Sequence, residues 1–292
     1  MGIVALWFYR LAAFLARCLP PGLSYVLADR VADLYFWIRR RPRCALLANL
    51  QVVTGARMDP ADRRRLAKVI FRNFGRSIVD FLRLPAMDRS TLNRQVRAEG
   101  LERLEEALQS RGGVVLLTAH IGGWEVGGAY LSALGYPVNA IARNHDATHI
   151  TRFFNTRREE RGIRVLGTGE RNRELLRLLE QGECIALLGD WDGGGRGTWA
   201  TFFGREARVP FAYVKFAERT GGQIVPGVAI RNPTGGYRVR LDGSIKPTPG
   251  NARSTLDRCL RVLEQYISEN LTQWFAFNPI WPEEAPNGKP GS

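Results

Sequence analysis

Short apolar runs alternate with longer amphipathic segments from Val96 to the C-terminal region, and this alternation is what most limits the possible folds. The clearest run is Val114–Thr118, and a glycine pair lies on each side of it. A short apolar run between glycines is typical of a buried strand that ends in a turn. Strands that alternate with helices build a mainly parallel sheet with helices on both faces. The sequence therefore predicts an α/β fold around a mainly parallel central sheet.

The chain divides into three predicted parts. Residues 1–44 are predicted to form N-terminal amphipathic and aromatic helices. Residues 45–282 are predicted to form one domain, large enough for an enzyme, and residues 283–292 a disordered tail. The predicted helices span 3–19, 23–38, 45–54, 60–82, 101–110, 124–134, 149–161, 171–181, 209–220 and 252–270. The predicted strands span 114–118, 138–142, 165–166, 184–188, 224–230, 237–241 and 274–277.

The first predicted helix is strongly apolar, but Arg10 and Arg17 interrupt it on one helical face. Its longest uncharged piece is far shorter than the ~20 residues that a spanning helix needs. A signal peptide carries its positive charge before the apolar region, and no charge precedes Tyr9 here. We expect an amphipathic helix in the bilayer interface, with Trp7 and Phe8 among its aromatic residues. The alternative is an ordinary helix that covers the domain.

Basic residues greatly outnumber acidic ones, 42 to 28, for a net charge of +14. All but four of the basic residues are arginine, whose planar fork suits phosphate and carboxylate groups. The charge implies an anionic partner: a phospholipid surface, a phosphorylated lipid, an acidic carrier protein or nucleic acid. We do not expect nucleic acid, because the chain contains no recognisable nucleic-acid-binding module. The four cysteines have no C-x-x-C spacing, so neither a zinc site nor a redox motif is expected. No cofactor is expected either.

His120 and Glu125 follow the strand Val114–Thr118, at the edge of an α/β sheet where active sites usually lie. On a regular helix residues five apart are about 140° out of phase, but Gly122 and Gly123 permit a tight turn between them. A carboxylate that accepts a hydrogen bond from one imidazole nitrogen leaves the other nitrogen to take a proton. We predict that His120 is a general base steadied by Glu125, and that amides of the glycine turn or a nearby arginine bind the oxyanion.

Other candidate residues follow the next strands. Arg143 is a candidate for the oxyanion or for substrate phosphates, with a simple surface charge as the alternative. Asp190 and Asp192 form an isolated D-x-D, which binds metal in some transferases and otherwise shapes the site. The glycine run 193–197 suits either a phosphate cradle or a mobile lid. Phe202 and Phe203 are assigned either to an acyl groove or to the core, and Arg205 and Arg208 to substrate phosphates.

The stretch from Glu99 through Gly113-Val-Val-Leu-Leu-Thr-Ala-His-Ile-Gly-Gly-Trp-Glu125 resembles the late acyltransferases of lipid A biosynthesis. These lauroyl and myristoyl transferases belong to the lysophospholipid acyltransferase superfamily, and phosphatidylinositol mannoside acyltransferases belong to the same family. The resemblance covers residues 45–282 and includes three further stretches, 71–76, 202–210 and 219–222, and Pro226. Gly123 and Trp191 depart from it, because members often have Asn and Gln at these places. The first change is expected to be tolerated, and the second leaves the role of the loop at Asp190 open.

By this resemblance, the protein moves a fatty acyl chain from an acyl carrier protein or coenzyme A thioester to a hydroxyl of a membrane glycolipid. The lead acceptor is a lipid A precursor, and a mannosylated phosphoinositide is the alternative. The chemistry needs no serine or cysteine nucleophile, so direct transfer without an acyl-enzyme is expected. The expected location is the cytoplasmic face of the bacterial inner membrane. The rival classes are a basic nucleic-acid-binding protein and a membrane-bound pseudoenzyme, and the intact pair His120 and Glu125 argues against the latter.

Overall fold

The computed structural model describes residues 2–142, 148–167, 172–193 and 197–281. Arg143, part of the glycine run 193–197 and the predicted tail 283–292 lie outside these ranges. The described helices are α1 Gly2–Cys18, α2 Pro21–Ile38, α3 Arg40–Thr54, α4 Pro60–Arg83, α5 Arg89–Gln95, α6 Leu101–Leu108, α7 Trp124–Leu134, α8 Thr148–Glu159, α9 Asn172–Glu180, α10 Ala212–Thr220 and α11 Ala252–Glu269. The described strands are β1 Val96–Glu99, β2 Val114–Thr118, β3 Val138–Ala142, β4 Arg164–Gly167, β5 Cys184–Leu188, β6 Thr198–Phe202, β7 Arg205–Val209, β8 Gln223–Arg231 and β9 Tyr237–Leu241.

Seven strands form the central sheet in the order β1-β9-β8-β2-β5-β3-β4. All neighbours are parallel except β8 and β9, which confirms the predicted mainly parallel α/β fold. Strand β2 is central, and its first four residues are fully or almost fully buried because side chains cover both faces. The carboxyl end of β2 therefore lies in the middle of one sheet edge.

The sequence patterns missed helix α5, strand β1 and one small sheet. Strands β6 and β7 form an antiparallel hairpin outside the main sheet. The segment 274–277, predicted as a strand, makes only a single bridge, between Trp274 and Ile121. Its backbone is used instead to hold the turn after β2, because the amide of Phe275 donates to the carbonyl of His120 at 2.7 Å.

Helices α1 and α2 pack on α4, and two pairs of charged residues fix α2 in place. Arg72 of α4 binds Asp33 with two hydrogen bonds of 2.7 and 2.6 Å, and Arg76 binds Asp29 in the same way at 2.8 and 2.6 Å. Gly75 lies between these arginines, where a Cβ atom would be 3.2 Å from the carbonyl oxygen of Ala28. The stretch 71–76 thus serves to dock α2 closely on α4.

The outward side of α1 and α2 is apolar. All but one of the exposed large hydrophobic side chains in the described residues lie on these two helices, and the exception is Val69. The exposed fraction reaches 63% for Trp7 and Phe14 and 66% for Ile38. No helix in the described residues is both long and apolar enough to span a bilayer.

Candidate active site

The turn after β2 is held by its backbone. The amide of Gly122 donates to the carbonyl of Gln273 at 2.9 Å, and the amide of Gly123 donates to the carbonyl of Ala229 at 2.7 Å. Gly122 has a φ of +61°, and a Cβ there would be 2.0 Å from the oxygen of Ala229. Because both amides already have acceptors, the prediction that Gly122 and Gly123 bind the oxyanion is corrected: they are turn residues.

Asp190, and not Glu125, is the carboxylate that holds His120. The Nδ1 atom of His120 lies 2.8 Å from Oδ1 of Asp190, and the backbone amide of His120 donates to both oxygens of the same carboxylate at 3.1 Å. Strands β2 and β5 are neighbours in register, with Thr118 opposite Leu188. His120 and Asp190 each lie two residues beyond this pair, so the sheet itself brings them together.

The surroundings make His120 more basic. The side chain of Asp190 is 1% exposed, whereas that of His120 is 25% exposed. Burial acts to lower the pKa of His120, but the charge of Asp190 and the hydrogen bond to it prevail, and the pKa is raised. Burial acts to raise the pKa of Asp190, and His120 and the indole of Trp274 outweigh it, so that carboxyl keeps a lowered pKa. With Nδ1 directed at Asp190, Nε2 is the nitrogen left to accept a proton.

Glu125 is held by Arg158 of α8. The guanidinium Nε lies 2.9 Å from Oε2, and Nη2 lies 2.5 Å from Oε1. Both side chains are mostly buried, with exposed fractions of 16% for Arg158 and 18% for Glu125. The predicted dyad of His120 with Glu125 is therefore corrected, since this bidentate pair ties α7 to α8 and leaves Asp190 to the imidazole.

Aromatic residues surround the imidazole. The rings of Trp124 and Trp191 have centroids 5.8 and 6.1 Å from that of His120, both in an edge-to-face arrangement. Trp274 donates its indole N–H to Oδ2 of Asp190 at 3.0 Å and is fully buried. Phe275 and Phe277 line the small cavity in front of His120. Trp191, Trp274 and Arg158 were not identified from the sequence, because their place depends on long-range contacts.

The hairpin β6–β7 supports this site from behind. Phe202 is fully buried, and its ring stacks on Trp281 with centroids 5.7 Å apart. Phe203 is partly buried and lies 6.4 Å from the Trp274 ring. The assignment of Phe202 to a substrate groove is corrected, since its side chain belongs to the core behind Trp274.

The remaining predicted residues lie at the hairpin and in the loop before it. Arg205 and Arg208 are exposed on β7. Asp192 accepts from the amide of Gly197 at 3.2 Å, and Arg208 lies 3.6 Å from the same carboxylate. Asp190 and Asp192 therefore face different partners, and the described residues contain no cluster of three metal-ligating side chains. The candidate Arg143 lies outside the described ranges.

The fold and the site define the class first: an α/β protein in which a buried carboxylate holds a histidine at the carboxyl edge of a mainly parallel sheet. The family model described as bacterial lipid A biosynthesis acyltransferase matches residues 1–283, and the chain belongs to this family. The protein is thus an acyltransferase of lipid and glycolipid biosynthesis.

Individual proteins are also similar to this chain. A phosphatidylinositol mannoside acyltransferase of Mycolicibacterium smegmatis is 29% identical over 244 residues, which are 81% of this chain and 78% of that protein. The crystal structure of the 1-acyl-sn-glycerophosphate acyltransferase PlsC from Thermotoga maritima matches with a TM-score of 0.41 and 12% identity. That match covers 83% of this chain and 97% of the solved chain.

Proposed function

We propose that this enzyme transfers a fatty acyl chain from an acyl carrier protein or coenzyme A thioester directly to a hydroxyl of a membrane glycolipid. The observation that supports the proposal most strongly is the pairing of His120 with the buried Asp190 at 2.8 Å. This pairing leaves Nε2 as a base of raised basicity beside the small cavity that Trp191, Phe275 and Phe277 line.

In the proposed reaction, Nε2 of His120 takes the proton of the acceptor hydroxyl as its oxygen attacks the thioester carbonyl. Asp190 stabilises the imidazolium that forms. The tetrahedral intermediate then collapses, the carbon–sulfur bond breaks, and the leaving thiolate takes the proton from His120. The products are an ester and a free thiol, and no covalent enzyme intermediate arises.

The negative oxygen of the intermediate needs donors other than Gly122 and Gly123. The amides in the first turn of an α-helix have no acceptor within the helix, and the dipole makes that end electropositive. Helix α7 begins at Trp124, whose ring lies next to His120. We assign the oxyanion to this first turn. Arg143 stays a prediction for the same role or for substrate phosphates.

The acyl chain has an apolar path away from His120. Phe277 lines the cavity of His120 and also an apolar groove of about 490 Å³ between α1, α2 and α4. Phe74 bridges the two, with ring centroids 5.2 Å from Phe275 and 5.0 Å from Phe277. In this proposal the acyl chain lies along these rings. Phe203, Arg205 and Arg208 stay predictions for contacts with the substrate.

Two acceptors are consistent with the family and with the similar protein described above. The family description favours a lipid A precursor, and the relative from Mycolicibacterium smegmatis favours a mannosylated phosphoinositide. Both present a sugar hydroxyl on an anionic lipid. The net charge of +14 suits either acceptor.

We place the enzyme at the cytoplasmic face of the inner membrane, attached peripherally through α1 and α2. Support comes from the exposed apolar side chains, such as Trp7, Phe14, Trp37 and Ile38. The described part of the chain leaves them largely uncovered, as is typical of an interaction surface. Arg39 adjoins these side chains, with its guanidinium 5.8 Å from the Tyr35 ring, and suits an anionic surface. We propose neither a metal, a bound cofactor nor nucleic acid as a partner.

The test is acyl transfer by detergent-purified protein from labelled acyl-coenzyme A and acyl carrier protein. Lipid A precursors, phosphoinositide mannosides and lysophospholipids are offered as acceptors, with His120→Ala as the blank. A labelled lipid absent from the blank supports the proposal and identifies the acceptor. Release of free fatty acid alone shows a working base without its acceptor. Equal product from His120→Ala contradicts the proposed base.

A further inference from the structure

A large basic cavity lies at the same sheet edge as His120 but on the other side of the glycine turn. Its volume is about 980 Å³, and α1, α4, α5, β1, β8 and β9 all contribute to its wall. Six arginines line it against two carboxylates, Asp80 and Glu99. We call it the arginine cavity; its arginines are Arg17, Arg83, Arg94, Arg97, Arg231 and Arg238.

One wall of the arginine cavity contains Asp80, whose carboxylate already has three hydrogen-bond donors. Asp80 accepts hydrogen bonds from the hydroxyls of Tyr25 and Tyr237, and Nε of Arg231 lies 3.1 Å from it. The guanidinium of Arg231 also lies 4.3 Å from the centre of the Tyr25 ring. Because Asp80 is 3% exposed and has these three donors, it neutralises Arg231 and not the other arginines.

The other wall carries an excess of positive charge, although Glu99 also lines it and the charge of Arg238 acts on Glu269. Arg97 of β1 and Arg238 of β9 are directly opposite in the sheet register, and both are exposed. Like charges in such a position destabilise a sheet unless an anion lies between them. In the part of the chain that the structure describes, neither forms an ion pair within 4 Å. Two adjacent guanidinium forks are well suited to a phosphate.

The position of the cavity indicates where such a phosphate would come from. Arg17 is in the last turn of α1, and Pro21 begins α2, so the cavity opens at the junction of the two apolar helices. Arg83 fixes this junction, because its Nη1 donates to the carbonyls of Ala16 and Leu19 at 2.6 and 3.2 Å. If the apolar sides of α1 and α2 enter the bilayer, the cavity lies at the depth of the headgroups.

We propose that the arginine cavity binds the phosphate-bearing headgroup of an anionic membrane lipid, at a site separate from His120. The headgroup phosphate lies between Arg97 and Arg238, and Arg17 and Arg94 complete the positive field. The proposal rests on the membrane attachment through α1 and α2 proposed above. It adds a lipid-specific contact to that attachment.

The experiment measures binding of the full chain to vesicles of phosphatidylcholine alone and of phosphatidylcholine with phosphatidylglycerol, at 0.15 M salt. We expect Arg97→Gln/Arg238→Gln to reduce affinity for the anionic vesicles about tenfold or more and to leave binding to neutral vesicles unchanged. The matched control is Arg111→Gln/Arg219→Gln. It removes the same charge from exposed positions at the opposite sheet edge and should change affinity less than about twofold.

A second variant separates a built site from diffuse charge. Arg97→Lys/Arg238→Lys keeps the charge but loses the forks, so a phosphate site loses affinity, whereas diffuse attraction does not. Wild-type affinity in the lysine variant, or equal losses in the glutamine variant and its control, would overturn the proposal. His120-dependent turnover with a soluble acceptor should be unchanged in all of these variants.

The outcomes also separate this proposal from the proposed attachment. Equal binding of the wild type to both vesicles leaves the attachment intact and overturns the lipid site. Binding to neither vesicle contradicts the attachment itself, and the cavity is then judged by thermal unfolding with glycerol 1-phosphate. A stabilisation that Arg97→Gln/Arg238→Gln abolishes would identify a soluble phosphate ligand, which overturns the lipid as the source.

Discussion

At the residue scale, the chemistry depends on which carboxylate holds His120. Asp190 binds Nδ1 at 2.8 Å, whereas Glu125 is bound by Arg158. The sequence indicated the histidine, because an apolar strand followed by a glycine turn is a local pattern. It did not indicate the partner, because the pairing depends on β2 and β5 being neighbours in the sheet, although 70 residues of sequence separate His120 from Asp190.

Asp190→Asn should reduce turnover about a hundredfold or more and shift the pH profile, because the carboxylate orients the imidazole and stabilises its protonated form. The general base acts when neutral, so activity rises as pH rises through the pKa of His120. Asp190 raises that pKa, and its loss should therefore move the rising limb to lower pH. The rate is measured as kcat/KM against pH. Asp192→Asn is the control, since Asp192 binds Gly197 and not His120; equal losses in both variants would favour a metal-binding D-x-D.

Glu125→Gln should behave differently, because Glu125 is a structural partner of Arg158. Burial acts to lower the pKa of Arg158, but Glu125 prevails and raises it, so the arginine stays charged. Removing one partner of this mostly buried pair should cost about 2–3 kcal/mol, less than for a fully buried pair. The measurement is urea unfolding of Glu125→Gln, Arg158→Gln and the double variant, which should lose less than the sum.

The pH profile decides the role of Glu125. In the Glu125→Gln variant the rising limb should stay at the wild-type pH, whatever the loss in rate. A shift as large as that of Asp190→Asn would restore Glu125 as a partner of the imidazole.

At the scale of elements, local patterns located the helices and strands well where the apolar period was clear. Strands β2, β3 and β5 and helix α7 have their predicted bounds. The segment 274–277 was wrongly predicted as a strand, since its aromatic residues satisfy a strand pattern but are used to hold His120 and Asp190. The hairpin β6–β7 was missed because its two strands are only five residues long, and buried and exposed side chains alternate over only part of each strand.

The docking of α2 on α4 is a property of the element pair and can be tested at Gly75. Gly75→Val places extra methyl groups against the carbonyl of Ala28, which is 3.2 Å from the position of the Cβ alone. We expect a loss of about 1–3 kcal/mol in the free energy of unfolding. Gly75→Ala is the control: its higher helix propensity offsets the close contact, so the change should be near zero. Equal effects of the two variants would show that α2 is not closely held here.

At the scale of the whole molecule, composition predicted an anionic partner but not where the charge lies. The structure separates an apolar face on α1 and α2 from the arginine cavity at their junction. Arg10 and Arg17, which appeared from the sequence only to interrupt an apolar helix, line two different cavities beside that face. Such a distribution could not be derived from sequence, because it depends on how α4, α5, α8 and the sheet edge meet α1.

The apolar face predicts how attachment to a membrane should depend on salt. The triple variant Trp7→Gln/Phe14→Gln/Trp37→Gln should lower binding to neutral vesicles at least about a hundredfold, since burying each such side chain contributes about 1.5 kcal/mol or more. These side chains are largely exposed, so the temperature of unfolding should not fall. Binding of the wild type to anionic vesicles should persist in 1 M salt, where the Debye length is only about 3 Å. A different result would mean that charge alone holds the enzyme at the membrane: salt releases the wild type from anionic vesicles, and the triple variant binds these vesicles equally well at low salt.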